Sequence, residues 1–381
     1  MHPHLPRALG EALSLVKKTN LAEATSLIQQ ALTGSVRGAV QSPRSAATAP
    51  QFAPPPLRRS LGETLQALRG LRIAPAPPLE TEIDGCPPQT PEGGGAFTAR
   101  RFTGAACPVD YMLYVPADHA ARPMSLLLML HGCTQTSRDF AGGTRMNRLA
   151  DEFGLIVAYP QQPRSANTSG CWNWFDRRHQ TRGSGEPAML AALARSLARE
   201  FDIENGKTFA AGLSAGGAMA DVLANLYSDV FAAVGIHSGL PYGAATDVVS
   251  AFSAMKGTPA KARTTPAAQG VACRKIIFHG GGDMTVHPSN AERIFVDARR
   301  GMTGLAESRS VSRIGSRDVT RLSVADADGR SVIEHWIVAG GGHAWFGGDA
   351  RGTYVDPDGP DASQAMVRFF LRQHTPSQNL N

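Results

Sequence analysis

The 381-residue chain is long enough to bury a sizeable core, and its 42% hydrophobic and 18% charged residues with 40 glycines describe a loop-rich globular protein. Its net charge of +6 lies wholly within residues 1–75, where nine Lys and Arg face three Glu, while the remainder balances at 29 of each sign. A run of about 18 apolar residues is lacking, which excludes a transmembrane helix, and five cysteines with no C-x-x-C argue against a zinc site.

The basic segment suggests an anionic surface as partner, with a solvated tail as the plain alternative, and no nucleic-acid partner is expected. Leu9 to Val16 is interrupted by Glu11 and is no secretory signal, and Arg58-Arg59 is too internal for a twin-arginine one. The expectation is therefore a cytoplasmic protein.

Residues 8–33 read as two short helices. Leu9, Leu13 and Val16 line the first; Asn20 with Glu23 caps the second, which Leu21, Ala24, Leu27, Ile28 and Leu32 stripe before Gly34 ends it. A helical hairpin at 1–34 is followed by a Pro-, Ser- and Ala-rich linker at 35–96. Ser60, Glu63 and the leucines at 61, 65, 68 and 71 place a short helix there near 60–72.

A third region, 97–375, alternates strands and helices. Phe97 to Phe102 and Tyr111 to Val115 suggest an antiparallel pair, and Ser125 to His131 a fully buried strand. A helix follows over Asp139 to Phe153, a strand over Leu155 to Tyr159 and a helix over Glu186 to Phe201. The stretch Lys207 to Ala220 reads as strand, turn and helix. Further strands are expected at Phe231 to His237, Arg274 to His279 and Ile333 to Val338, with helices near Asn290 to Arg299 and over Asp361 to Arg372. The insert Leu240 to Gly270, helical over Thr246 to Lys256, is placed to cover a site. Such alternation implies an α/β fold: a mostly parallel sheet with helices on both faces and function beyond the carboxyl ends of its strands.

Gly212-Leu213-Ser214-Ala215-Gly216 has the G-x-S-x-G form between a strand and a helix, the context of a nucleophile elbow. An activated serine needs a base, and the base needs an orienting acid. Two Gly-rich loops at strand ends supply them: Gly280-Gly281-Gly282-Asp283 and Gly340-Gly341-Gly342-His343. The order Ser214, Asp283, His343 is that of α/β-hydrolases. Asp356 and Asp358 compete for the acid but follow His343, and His287 lies too near Asp283 to be the base. His237, His279 and His335 sit in strands and read as structural. Two N–H donors are needed for the tetrahedral intermediate: Ala215, after the nucleophile, and Cys133 in His131-Gly132-Cys133-Thr134.

Leu130 to Gln135, Gly170-Cys171-Trp172-Asn173-Trp174-Phe175, Gly212 to Gly217, Asp283 to Pro288 and Gly342-His343-Ala344-Trp345 together resemble the polyhydroxybutyrate depolymerase family of esterases, over residues 97–373. The resemblance implies an α/β-hydrolase that cleaves ester bonds of poly- or oligo-3-hydroxyalkanoates with no cofactor and no metal. It implies a triad of Ser214, Asp283 and His343 and an oxyanion hole from Cys133 and Ala215. It also implies substrate contact by Trp345, beside the histidine; Trp172 is placed with it at an apolar rim, Asn173 is a further substrate-binding candidate, and Trp174, the third tryptophan of that rim, is expected in the core. For Cys133 it implies a bridge to Cys171, against the alternative of a buried thiol, and it brings an extracellular location as the alternative to the cytoplasm. Two other functions stand beside it: a feruloyl or acetylxylan-type carboxylesterase, and a protein that binds a polymer-granule or anionic surface through its N-terminal segment. Arg182 and Glu186 are expected to tie loops as a pair.

Overall fold

The structure, a computed structural model, describes residues 93–104, 108–258, 273–300 and 302–372. The chain divides into two units, Met1–Pro88 and Gln89–Asn381, and every described residue belongs to the second. The expected hairpin at 1–34, the linker up to residue 92 with its helix near 60–72, and the tail of the insert at 259–270 lie outside the described residues.

Ten strands form one sheet: β1 (Ala96–Phe102), β2 (Val109–Val115), β3 (Ser125–Leu130), β4 (Leu155–Pro160), β5 (Thr208–Leu213), β6 (Ala233–His237), β7 (Arg274–Gly280), β8 (Ala306–Ile314), β9 (Arg317–Ala325) and β10 (Ser331–Val338). Their spatial order is β1-β2-β4-β3-β5-β6-β7-β10-β9-β8. The six from β4 to β10 run parallel, and the pairs at both ends of the sheet are antiparallel. The α/β fold with helices on both faces is thus as the sequence implies.

Buried β3 shows why. Successive side chains in a strand point to opposite faces. Leu126, Leu128 and Leu130 enter one core with Leu190, Leu193 and Leu197 of α3 (Gly185–Glu200) and Met219 and Val222 of α4 (Ala215–Leu226). Leu127 and Met129 enter the other core, with Leu149 of α2 (Met146–Phe153) and Met366 and Phe370 of α7 (Ala362–Leu371). Truncating any of these leucines to Ala costs about 2–5 kcal/mol. The remaining α-helices among the described residues are α1 (Ser137–Thr144), α5 (Val248–Met255) and α6 (Ser289–Arg299), with a 3-10 turn at Arg177–Gln180. None of the described helices is long and apolar enough to cross a membrane.

Two differences from the sequence reading have local causes. The helix expected over 139–153 is broken into α1 and α2 by Arg145, whose φ of 52° is left-handed. Its guanidinium donates to the Gly347 carbonyl at 3.0 Å, and Gly352 permits the 348–352 segment to approach Gly143, since a Cβ on Gly352 would lie 2.4 Å from the Gly143 Cα. The β8–β9 hairpin was not expected, because β8 is exposed along almost its whole length and carries no apolar face.

Candidate active site

Ser214 stands between β5 and α4 with φ 56° and ψ −117°, a backbone conformation that is costly for a non-glycine residue. Its amide donates to the His237 carbonyl at 2.8 Å, at the end of β6. The turn closes only with glycines beside it. A Cβ on Gly216 would lie 2.0 Å from the Leu130 carbonyl oxygen, and one on Gly212 would lie 2.4 Å from the Gly216 carbonyl carbon. The hydroxyl therefore sits at the first turn of α4, where unpaired N–H groups favour developing negative charge.

Asp283 follows β7 and is 3% exposed. Its Oδ1 accepts from the amides of Thr285 at 2.9 Å and Val286 at 2.8 Å, and its Oδ2 accepts from His343 Nδ1 at 2.7 Å. Burial pushes this carboxyl up, but the hydrogen bonds from His279 and His343, the charge of His343 and the Val286 amide together outweigh it and hold it well below the usual carboxylate range. His279 Nε2, which donates to the Val286 carbonyl at 2.8 Å, lies 3.4 Å from the same carboxylate. With Nδ1 donating to Asp283, Nε2 of His343 is the basic nitrogen.

The two loops interlock through glycine: a Cβ on Gly280 would lie 2.2 Å from the Gly341 carbonyl oxygen, and the Gly282 amide donates to that oxygen at 2.9 Å. Among the described residues no hydrogen bond joins Ser214 Oγ to His343; His237, whose carbonyl holds the Ser214 amide, feels the charge of His343. The His237 ring lies 5.0 Å from that of Trp345 and 4.7 Å from that of Phe346, and its Nε2 accepts from the Phe346 amide at 3.1 Å. Burial, then the neighbouring His279 and His343, push its pKa well down, so it remains a neutral spacer.

On the other side, the loop 131–135 has its amides committed at Gly132 (to Gln135 Oε1, 2.8 Å), Thr134 (to the Ser169 carbonyl, 2.8 Å) and Gln135 (to the Gly132 carbonyl, 3.3 Å). The Cys133 amide, like that of Ala215, donates to no acceptor among the described residues. His131 is buried beneath: Nδ1 bonds the Gly132 carbonyl at 2.8 Å, Nε2 accepts from the Gln162 amide at 3.1 Å, and burial lowers its pKa to about 4. Cys133 is disulfide-bonded to Cys171. Glu186 in turn holds the Cys171 loop. Its carboxylate accepts from Asn173 N (2.8 Å), Asn173 Nδ2 (2.7 Å) and Gln162 Nε2 (2.7 Å), and Gln162 Nε2 also reaches the Cys171 carbonyl at 3.0 Å.

Several assignments need correction. Trp345 is 1% exposed: its indole N–H donates to Ser363 Oγ at 3.0 Å and its ring packs on Phe140 and His237, so it belongs to the core and offers no face to a substrate. Trp172 is fully buried against the His131 ring and packs beneath the 131–135 loop. Asn173 has its polar groups committed to Glu186 and Asn167. Arg182 does not pair with Glu186; it reaches Asp229 at 2.7 Å, while Glu186 is buried among the amides just described. Trp174 is in the core, as expected, and Asp356 is paired with Arg317 at 2.7 Å, whereas His343 bonds Asp283. Glu186 ties loops as expected, but through Asn173 and Gln162 and not through Arg182. The part of the Gln135 side chain in holding the Gly132 amide escaped the sequence reading.

Residues 109–320 match the family described as esterase PHB depolymerase. Poly(3-hydroxyalkanoate) depolymerase C of Paucimonas lemoignei is 33% identical over 264 residues, which cover 66% of this chain and 60% of that protein. Feruloyl esterase B of Neurospora crassa is 28% identical over 272 residues, covering 68% of this chain and 86% of that protein. The chain thus spans less than two thirds of the depolymerase. Among solved structures, an acetyl xylan esterase from Aspergillus awamori superposes with a TM-score of 0.56 over 72% of this chain and 98% of that one, at 20% identity, a likeness of fold.

Proposed function

The chain belongs to the PHB depolymerase family of esterases, and on that premise we propose that it is a serine esterase hydrolysing ester bonds of poly- or oligo-3-hydroxyalkanoates. The observation that carries the mechanism is the placement, all at carboxyl ends of parallel strands in one sheet, of Ser214 on a strained elbow and of His343 hydrogen-bonded to Asp283 at 2.7 Å.

Ser214 Oγ attacks the ester carbonyl as His343 Nε2 takes its proton. The Cys133 and Ala215 amides receive the oxyanion, and His343 returns the proton to the departing alkoxide oxygen. Water, activated by the same nitrogen, then hydrolyses the acyl-enzyme. Asp283 keeps the imidazole in the Nδ1–H tautomer and stabilises its charged form. No step calls for a metal or an organic cofactor. The polyester substrate rests on the 33% identical depolymerase.

Feruloyl or acetylxylan-type ester hydrolysis is the second reading, favoured by the 86% of the feruloyl esterase that the chain spans. The Cys133–Cys171 bridge favours an oxidising, extracellular setting over the cytoplasm expected from the N-terminal residues. We assign residues 1–96, with their excess of basic groups, to association with a polymer-granule or anionic surface.

The test is release of 3-hydroxybutyrate from amorphous polymer granules by the purified protein, with Ser214→Ala as blank. Release that vanishes in the variant supports both mechanism and substrate. Cleavage of methyl ferulate in preference to 3-hydroxybutyrate oligomers moves the substrate to plant esters. Granule sedimentation of the full chain and of a chain lacking residues 1–95 tests the surface role; equal sedimentation contradicts it.

A further inference from the structure

The aromatic residue that meets solvent beside the candidate site is Tyr354, 48% exposed, whereas Trp345 and Trp172 are buried. Two short strands fix its place. β11 (Trp345–Phe346) pairs in parallel with β12 (Val355–Asp356), Trp345 opposite Val355, so Tyr354 lies next to Ala344, the residue after His343. At its other end the phenol oxygen is 3.3 Å from Thr134 Oγ1, on the residue after Cys133. The Thr134 hydroxyl spends its own proton on the Cys133 carbonyl at 2.6 Å, so the phenol is the donor. Tyr354 therefore spans from the loop of the base to the loop of the oxyanion donor.

Its backbone is held there against its preference. Tyr354 has φ 54°, a left-handed conformation that Gly or Asn adopts at far lower cost than a bulky side chain. The neighbours over-determine it. The Trp345 amide donates to the Tyr354 carbonyl at 2.7 Å, the Thr353 amide to Asp139 Oδ1 at 2.9 Å, and Gln135 Nε2 to the Thr353 carbonyl at 3.0 Å. A strained, half-exposed aromatic pinned from both sides serves packing poorly, and strain of this kind collects at ligand clamps.

We propose that Tyr354 is a specificity-determining residue whose ring walls the cleft between His343 and Cys133 and contacts the apolar body of the acyl group. This rests on the serine-esterase reading of the site. Ring contact rewards each added methylene of the acyl chain, while the phenol O–H is spent on Thr134 and holds the ring in place.

The experiment compares wild type, Tyr354→Gly and Tyr354→Phe on p-nitrophenyl acetate, butyrate and hexanoate, with the melting temperature of each protein. Tyr354→Gly relieves the left-handed residue, so its melting temperature holds or rises. Its kcat/KM falls roughly tenfold or more on butyrate and hexanoate and much less on acetate. Tyr354→Phe keeps the wild-type chain-length profile. An unchanged profile in Tyr354→Gly, or a drop in its melting temperature with all three esters affected alike, overturns the inference and leaves a packing role. Turnover that survives Ser214→Ala overturns the site assignment and this inference with it, so the two failures are told apart.

Discussion

On one side of the site, Cys133 is fixed by a covalent bridge to Cys171, by the buried ring of His131 and, through Asn173 and Gln162, by Glu186. On the other side, His343 follows a run of three glycines and, among the described residues, its side chain makes one hydrogen bond, to Asp283. The difference follows the work proposed for each side. Oxyanion donors contribute most when they are already in place as charge develops, so rigidity there lowers the barrier. A base that first accepts a proton and then delivers it to another oxygen needs a fixed tautomer and freedom to adjust, which one strong hydrogen bond on a glycine loop provides.

Breaking the base side carries the largest effect. Asp283→Asn should leave a folded protein whose kcat is lower by about 10⁴-fold, because the amide favours the wrong tautomer of His343. Steady-state hydrolysis of a soluble ester, with circular dichroism to check the fold, measures this.

Acid separates the two sides by window. Burial lowers His131 to about 4, below its unfolded value of about 6.5, so its contribution is complete above pH 6.5 and lost as pH falls toward 4, by about 3 kcal/mol. Asp283 is also held below its unfolded value, so its contribution survives until pH falls below about 4 and is lost beyond that. Denaturant unfolding measured from pH 7 to 3 should therefore show the loss beginning in the histidine window. His335 shares that window: burial first, then His279, lowers it to about 4, and neither ring nitrogen has a partner among the described residues. His335→Phe should shrink the loss between pH 6.5 and 4.

Opening the bridge tests whether rigidity matters. Cys171→Ala, which leaves the Cys133 amide in the chain, should lower kcat by up to about 10²-fold with KM little changed, and mild reduction of the wild type should match it. Glu186→Gln is the gentlest step. It removes the charge behind hydrogen bonds at 2.7–2.8 Å and should lower kcat by roughly tenfold, with the effect absorbed when Cys171→Ala is already present.

The same contrast marks what could be read from the sequence. The parallel strands were legible because their apolar runs are buried on both faces, as in Ser125–Leu130, and the elbow because its glycines sit where backbones nearly touch. The β8–β9 hairpin was not, since a strand exposed on both faces leaves no apolar period to find. Trp345 misled because adjacency in sequence to His343 says nothing about direction: in the short strand β11 it turns inward onto His237, and Tyr354, nine residues on, comes to the surface. Glu186 was misread for a related reason. An Arg four residues before a Glu suggests a pair, but Arg182 precedes the helix and finds Asp229.

Pre-steady-state mixing with p-nitrophenyl butyrate tests the central claim most directly, that Ser214 carries the acyl group. The account predicts a burst of p-nitrophenolate matching the enzyme concentration when deacylation is the slower step, and an acyl mass trapped at low pH on the peptide containing Ser214. An acyl group trapped on another residue, or a burst that persists in Ser214→Ala, would contradict it.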